Sequence, residues 1–145
     1  MAYSHITAFA GTGQAGLGDE GVDPLASELY LPQDLTFGPD DRPYILDWNN
    51  HRIRVVDDGL IHTLIGSGGL GDAPAGPALE VGFNHPTHVS FDPLGRLIVS
   101  AWHNSKILRY DFNTDLIEPI CGTGRREYNG DEMPATETWL NLPSS

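Results

Sequence analysis

The sequence predicts an all-β fold, and three observations carry that prediction. Seventeen glycines and eleven prolines in 145 residues break the chain too often for long helices. Its valines, isoleucines and aromatics fall in short clusters and not at helical spacing. The third observation sets the architecture, because the chain repeats itself at a fixed period.

Three segments share one pattern: Ile6-Thr-Ala-Phe-Ala-Gly-Thr-Gly13, Ile61-His-Thr-Leu-Ile-Gly-Ser-Gly68 and Ile117-Glu-Pro-Ile-Cys-Gly-Thr-Gly124. Gly11 and Gly66 stand 55 positions apart, and Gly66 and Gly122 stand 56 apart. The second half of the unit recurs as Leu31-Pro-Gln-Asp-Leu-Thr-Phe-Gly-Pro-Asp40 and His85-Pro-Thr-His-Val-Ser-Phe-Asp-Pro-Leu94. A third copy opens at Leu142-Pro143. These boundaries divide one domain into repeats at 5–60, 61–116 and a shortened 117–145.

Within a full unit the alternation is strand-sized: Leu35/Phe37, Tyr44/Leu46 and Ile53/Val55, matched by Val89/Phe91 and Leu97/Val99. The isoleucine-led segment supplies the fourth strand. Turn chemistry separates the first two strands at Pro39-Asp40-Asp41-Arg42 and Pro93-Leu94-Gly95-Arg96. It separates the last two at Asp57-Asp58-Gly59 and Asn113-Thr114-Asp115. At the tails of the long loops, Pro24-Leu-Ala-Ser-Glu-Leu29 and Pro134-Ala-Thr-Glu-Thr-Trp139 suit a single helical turn with proline at its first position. Four short antiparallel strands per unit, repeated, describe β-propeller blades.

Asp47-Trp-Asn-Asn-His-Arg-Ile-Arg54 resembles the asparagine-histidine-arginine-isoleucine signature of NHL repeats, with the family's proline, strand, aspartate, strand pattern before it. The later copy, Ala101-Trp-His-Asn-Ser-Lys-Ile-Leu108, keeps asparagine, a basic residue and isoleucine, but Ala101 and Ser105 replace Asp47 and His51. The glycine-rich run from Gly11 to Ala26 is similar to the insertion of bacterial extracytoplasmic NHL proteins. The resemblance implies strands a to d numbered outward from a propeller axis. This chain would then hold an extra outer strand, Ile6 to Ala10, and two full blades, an incomplete propeller. Propellers use about four to eight blades, and open blade faces invite self-association. A homo-oligomer that completes the propeller is therefore expected.

The family geometry also puts the b-to-c turns and the glycine-rich loops on one face. Trp48, Asn49, Asn50 and His51, with Trp102, His103 and Asn104 one blade on, form the candidate binding face. Trp48 and Trp102 are 54 positions apart and hold equivalent places. Such tryptophans either stack on a sugar or anchor a peptide, or they pack between blades. His51 near Asp47 is the residue pair most like a general base. Its position recurs as Ser105, so a structural role for the turn is expected and no catalytic residue is assigned.

Oxygen-rich loops raise calcium, with Asp19, Asp23 and Asp131 as weak candidates beside Glu20, Asp72, Glu80, Glu132 and Glu137. No EF-hand order is present, and aspartates beside glycine usually bond their own turns. No metal site is assigned on this basis. The single cysteine, Cys121, excludes an intrachain disulfide and holds the outer-strand place of Ala10 and Ile65, a small buried position. The histidines show no repeating ligand spacing, and His85 and His88 point to opposite faces of an extended chain.

Charge and hydropathy bound the partners. Twenty acidic against eight basic side chains give a net charge of -12, which repels nucleic acid. No apolar run reaches the roughly 18 residues of a membrane span, and Met1-Ala2-Tyr3-Ser4 does not open a signal peptide. The chain as given reads as soluble, while the resemblance suggests an extracytoplasmic or secreted bacterial origin. The function expected is a non-enzymatic binding or scaffold module for a protein or glycan. The alternatives are a fragment of a propeller enzyme, lactonase-like or amidating-lyase-like, and an excised or engineered propeller fragment without activity. Such enzymes hold a metal with groups from several inner strands, and Gln33-Asp34 and Thr87-His88 offer at most one each.

Overall fold

Where the sequence alternates, the chain is extended. The computed structural model describes residues 5–145 and contains two antiparallel sheets. The first runs in chain order through β1 (Pro32–Phe37), β2 (Pro43–Asp47), β3 (Arg52–Asp57) and β4 (Leu60–Ile65). The second is built from β5 (Gly76–Pro77), β6 (His88–Phe91), β7 (Leu97–Ala101), β8 (Lys106–Asp111) and β9 (Leu116–Cys121), in the order β5-β9-β8-β7-β6. The fold is all-β, as the sequence predicts. No closed ring of sheets is formed among the described residues.

The turns follow from the residues in them. Between β3 and β4, Asp58 and Gly59 both take positive φ, 47° and 77°, which suits the twist of a two-residue hairpin. Between β8 and β9 the loop is longer, and Asp111 accepts the Asn113 amide to hold it. Between β1 and β2, Asp40 accepts from the Arg42 amide at 3.1 Å; between β6 and β7, Asp92 accepts from the Arg96 amide at 3.0 Å. The outer pairs share a register irregularity at the same place, between Ile53 and Arg54 and between Ile107 and Leu108. The two sheets therefore repeat one another in detail.

One expected strand is corrected. Ile6 to Ala10 does not form a strand, and Ile6 is fully exposed. The sheet this segment would complete has no other strands in the described chain, so its backbone has nothing to pair with. Instead, each glycine-rich loop lays a short stretch on the outer edge of the sheet that follows it. Val22 bridges Ile61 in the first case, and β5 pairs with β9 in the second. This contact blunts edges that would otherwise present unpaired amides.

The expected helical turns are present as single 3-10 turns. Pro24–Ala26 begins at its proline, with the Asp23 side chain accepting from the Leu25 amide. Ala135–Glu137 begins one residue after Pro134. No described helix is long and apolar enough to cross a membrane.

A single core joins the sheets. Tyr44, Leu46, Ile53 and Ile65 from the first meet Val89, Leu97, Val99, Leu108 and Ile117 from the second, with Val81 and Phe83 of the connecting loop between them. At the seam Tyr44 meets Phe91 edge to face, 5.0 Å between centroids. Asp34 of β1 ties the inner strands by accepting the Val89 amide at 2.9 Å and pairing with His88 at 2.7 Å. The inner strand of the second sheet is thereby covered. That of the first is not: Val89 is 1% exposed, whereas its counterpart Leu35 is 46% exposed and Phe37 is 63% exposed.

Candidate functional site

Both central turns use the same device. After β2 and after β7 the chain makes one 3-10 turn, Trp48–Asn50 and Trp102–Asn104. Each is stopped by a left-handed residue, His51 at φ 54° and Ser105 at φ 51°. This conformation costs a non-glycine residue energy and is held here by the surrounding contacts. Its effect is to turn the third residue inward. Asn50 donates to the Gly16 carbonyl at 2.6 Å, and Asn104 donates to that of Gly71 at 2.7 Å. Each asparagine thus fastens the glycine-rich loop that precedes its sheet.

Beneath this shared bond the two junctions differ in chemistry. In the first, Asp47 is fully buried and accepts from the Tyr30 amide at 2.7 Å and the Asn50 amide group at 2.7 Å. Burial pushes its carboxyl up, against the pull of those donors and of the Arg54 and Arg52 charges. Arg54 is also fully buried; it donates to the Asp19 carbonyl at 3.0 Å and meets Glu20 at 3.3 Å. Burial likewise pushes Glu20 up, but the Thr63 hydroxyl and amide with Arg54 and Arg52 outweigh it, and its carboxyl lies below the ordinary value. In the second junction Ala101 and Leu108 replace Asp47 and Arg54, and both are fully buried. The amide that Asp47 would have accepted belongs here to Asn84, and Asn104 Oδ1 accepts it at 2.8 Å.

Between the junctions lies a cluster of rings. His85 packs on Trp48 at 4.5 Å, on His51 at 4.6 Å and on His103 at 5.1 Å between centroids, and Trp102 stacks on His103 at 3.9 Å. Asn84 Oδ1 bonds His85 Nδ1 at 2.7 Å, and the His85 amide donates to His51 Nδ1 at 3.3 Å. Burial holds all three imidazoles below the usual histidine range, with the neighbouring His85 charge adding to the effect on His51 and His103. Neutral imidazole is the form this cluster accommodates.

These contacts narrow the candidate face. Asn50, Asn104 and His51 are buried and make internal hydrogen bonds, and for His51 the expected role was already that of holding the turn. Trp48 is half-buried and packed against the core. Trp102, Asn49 and His103 are also half-buried and keep part of their surface. The cluster could not be read from sequence spacing because His85 arrives from the segment just before β6, 34 positions after His51. A signal does exist: Leu31, His85 and Leu142 each precede a proline and each take positive φ, at 53°, 53° and 55°.

The calcium candidates stay apart. Asp23 bonds its own turn, Asp19 gives its carbonyl to Ser27 and Arg54, and Asp131 accepts from Tyr128. No group of three or more His, Cys, Asp or Glu that could hold a metal occurs among the described residues. Cys121 is half-buried and free, where a buried place is expected. A cleft of about 380 Å³ opens beside His103, bounded by Lys106 and Arg125.

No family model matches this chain, and no curated protein matches it. Among solved structures, its fold is similar to that of a structural genomics protein of unknown function from Bacteroides thetaiotaomicron. The two are 17% identical with a TM-score of 0.64, and the match covers 75% of this chain. This chain spans only 28% of that structure's length. The likeness is one of fold.

Proposed function

We propose that the two sheets are successive blades of an NHL-like propeller, and that the chain is a non-enzymatic scaffold whose open blade faces are covered by a second copy of itself. One observation carries the reading. The chain contains its own docked example of the interface: the inner strand of the second sheet is seated on the first, with Val89 buried and Phe91 against Tyr44. The equivalent residues of the first sheet, Leu35 and Phe37, lie open. At the other end Ile98 and Ile107 are only half-buried, where their counterparts Tyr44 and Ile53 are completely buried. A head-to-tail contact between copies would repeat the internal one, and such contacts close into rings when the rotation permits.

The test is a charged double substitution, L35D/F37D. Both side chains are exposed in the single chain, so its strand signal in circular dichroism should persist while light scattering shows the mass falling to one chain. An unchanged oligomer mass would remove Leu35 and Phe37 from the interface and with them the proposal.

A further inference from the structure

The eight basic side chains of this acidic protein divide into two groups. Five are paired with carboxylates: Arg42 with Asp40 and Asp57, Arg52 and Arg54 with Glu20, Arg96 with Asp92, and Arg109 with Glu118. The other three, Lys106, Arg125 and Arg126, form no ion pair with any described residue. All three gather at one place. Lys106 and Arg125 line the cleft of about 380 Å³ with His103, Asn84, Thr123 and Asp72. Arg126 donates to the His103 carbonyl at 3.1 Å on its rim.

Each cation is held in position by uncharged groups. Lys106 Nζ donates to the carbonyls of Asp72 at 2.6 Å and Ala73 at 3.3 Å. The Arg125 guanidinium lies 5.1 Å from the centre of the Trp139 ring, a cation-π contact that fixes it without neutralising it. The cleft's acidic side chain, Asp72, makes no ion pair among the described residues. Lys106 and Arg125 thus present their charges to one cleft beside Asp72, with Arg126 bonded to the His103 carbonyl nearby. Like charges brought together repel unless an anion joins them.

The first junction shows what such an anion does. There the chain supplies its own carboxylate: Glu20 accepts from the Thr63 amide and hydroxyl, both at 2.6 Å, and spans Arg52 and Arg54. In the second junction this internal anion is gone. Pro74 and Ala75 stand at the places of Asp19 and Glu20, so Glu20 has no carboxylate counterpart although the same loop carries Asp72, and Thr63 gives way to Pro119. At the same time Gly69-Leu70 become Arg125-Arg126, and Asn49 becomes His103. The unit that lacks a counterpart to Glu20 carries two further cations beside Lys106, the counterpart of Arg52.

We propose that this cleft binds a small organic anion carrying two or more carboxylates, held between Lys106, Arg125 and Arg126 beside His103. Its size falls in the range of small-molecule sites, and the local field overrides the protein's overall repulsion at short range. The site is independent of how the blade faces are covered.

Citrate, titrated into the full chain at low ionic strength by calorimetry, tests it. One-to-one binding is expected, weakened at least about tenfold in R125G/R126L, which restores the residues of the first unit, and again in K106A. R96Q, which removes a paired cation elsewhere, should bind as the parent does. The proposal is overturned if citrate does not bind at millimolar concentration, or if R96Q weakens binding as much as R125G/R126L. Inorganic phosphate binding more tightly than citrate overturns the carboxylate assignment.

Discussion

The two turn–loop junctions reach one geometry by opposite chemistry. Both fasten a glycine-rich loop through an asparagine, at 2.6 Å in the first and 2.7 Å in the second. The first then buries a carboxylate and a guanidinium, Asp47 and Arg54, whereas the second buries Ala101 and Leu108. The signature that makes the first copy conspicuous is thus not what makes the turn. The geometry needs the left-handed stop and the inward asparagine, and the charged pair is one of two ways to fill the space beneath them. Asp47 bonds Tyr30 and Asn50 while Arg54 pairs with Glu20, so the two charged groups are held by separate partners. Buried charges often add little over well-packed apolar groups, while stripping a compensating group from one is costly.

The largest expected effect tests that equivalence. D47A should cost about 3 kcal/mol, because it leaves the Arg54 charge buried with less compensation and the Tyr30 amide without its acceptor. D47A/R54L copies the second junction and should recover more than half of that loss in urea denaturation. A double variant as unstable as the sum of its singles would mean that the two junctions are not interchangeable.

A smaller effect separates the two asparagines. Asn104 both donates to Gly71 and accepts the Asn84 amide, while in the first junction Asp47 takes over the accepting role. Asn50, however, donates to the buried Asp47 carboxylate as well as to Gly16, so N50A should cost about 2 kcal/mol and N104A about 1 kcal/mol. Equal losses would show that the Asn50 bond to the Asp47 carboxylate is worth no more than the Asn104 bond to the Asn84 amide.

The smallest effect belongs to the ring cluster that links the junctions. His51, His85 and His103 all titrate below their ordinary value of about 6.5 because burial disfavours the charged form. The unfolded chain then binds more protons than the folded one just below that value. Their contribution is present above about pH 6.5 and is lost as the pH falls through the lowered values. The melting temperature should fall between about pH 7 and pH 5, and H85N should flatten the slope. An unchanged slope in H85N would place the protonation elsewhere.

Much of the fold was legible because its determinants are local. Period-two alternation located β1 to β3 and β6 to β7, and Asp58-Gly59 located a hairpin. The strand over Ile6 to Ala10 was misread because a strand needs neighbours, and a matching pattern supplies none. The site was less legible for a related reason. Arg54 looks like an exposed arginine on a strand until the loop at Asp19 and Glu20 folds over it from 35 positions away. Asn50 and Asn104 stood out as recurring residues, but only the fold shows that both are spent on the Gly16 and Gly71 carbonyls. His85 heads the recurring segment that begins at Leu31 in the first unit, but nothing in that pattern places its ring among the turn residues. Its place before a proline, shared with Leu31 and Leu142, is in the sequence, but the left-handed backbone there was visible only once the angles were known.

The first sheet has an uncovered inner strand and the second a covered one, and the proposed assembly rests on that difference. Light scattering coupled to size exclusion, on the full chain over a range of concentrations, measures it most directly. The account predicts the mass of a closed ring of two or more copies that dissociates on dilution. A folded chain of 15.8 kDa mass at every concentration would contradict it.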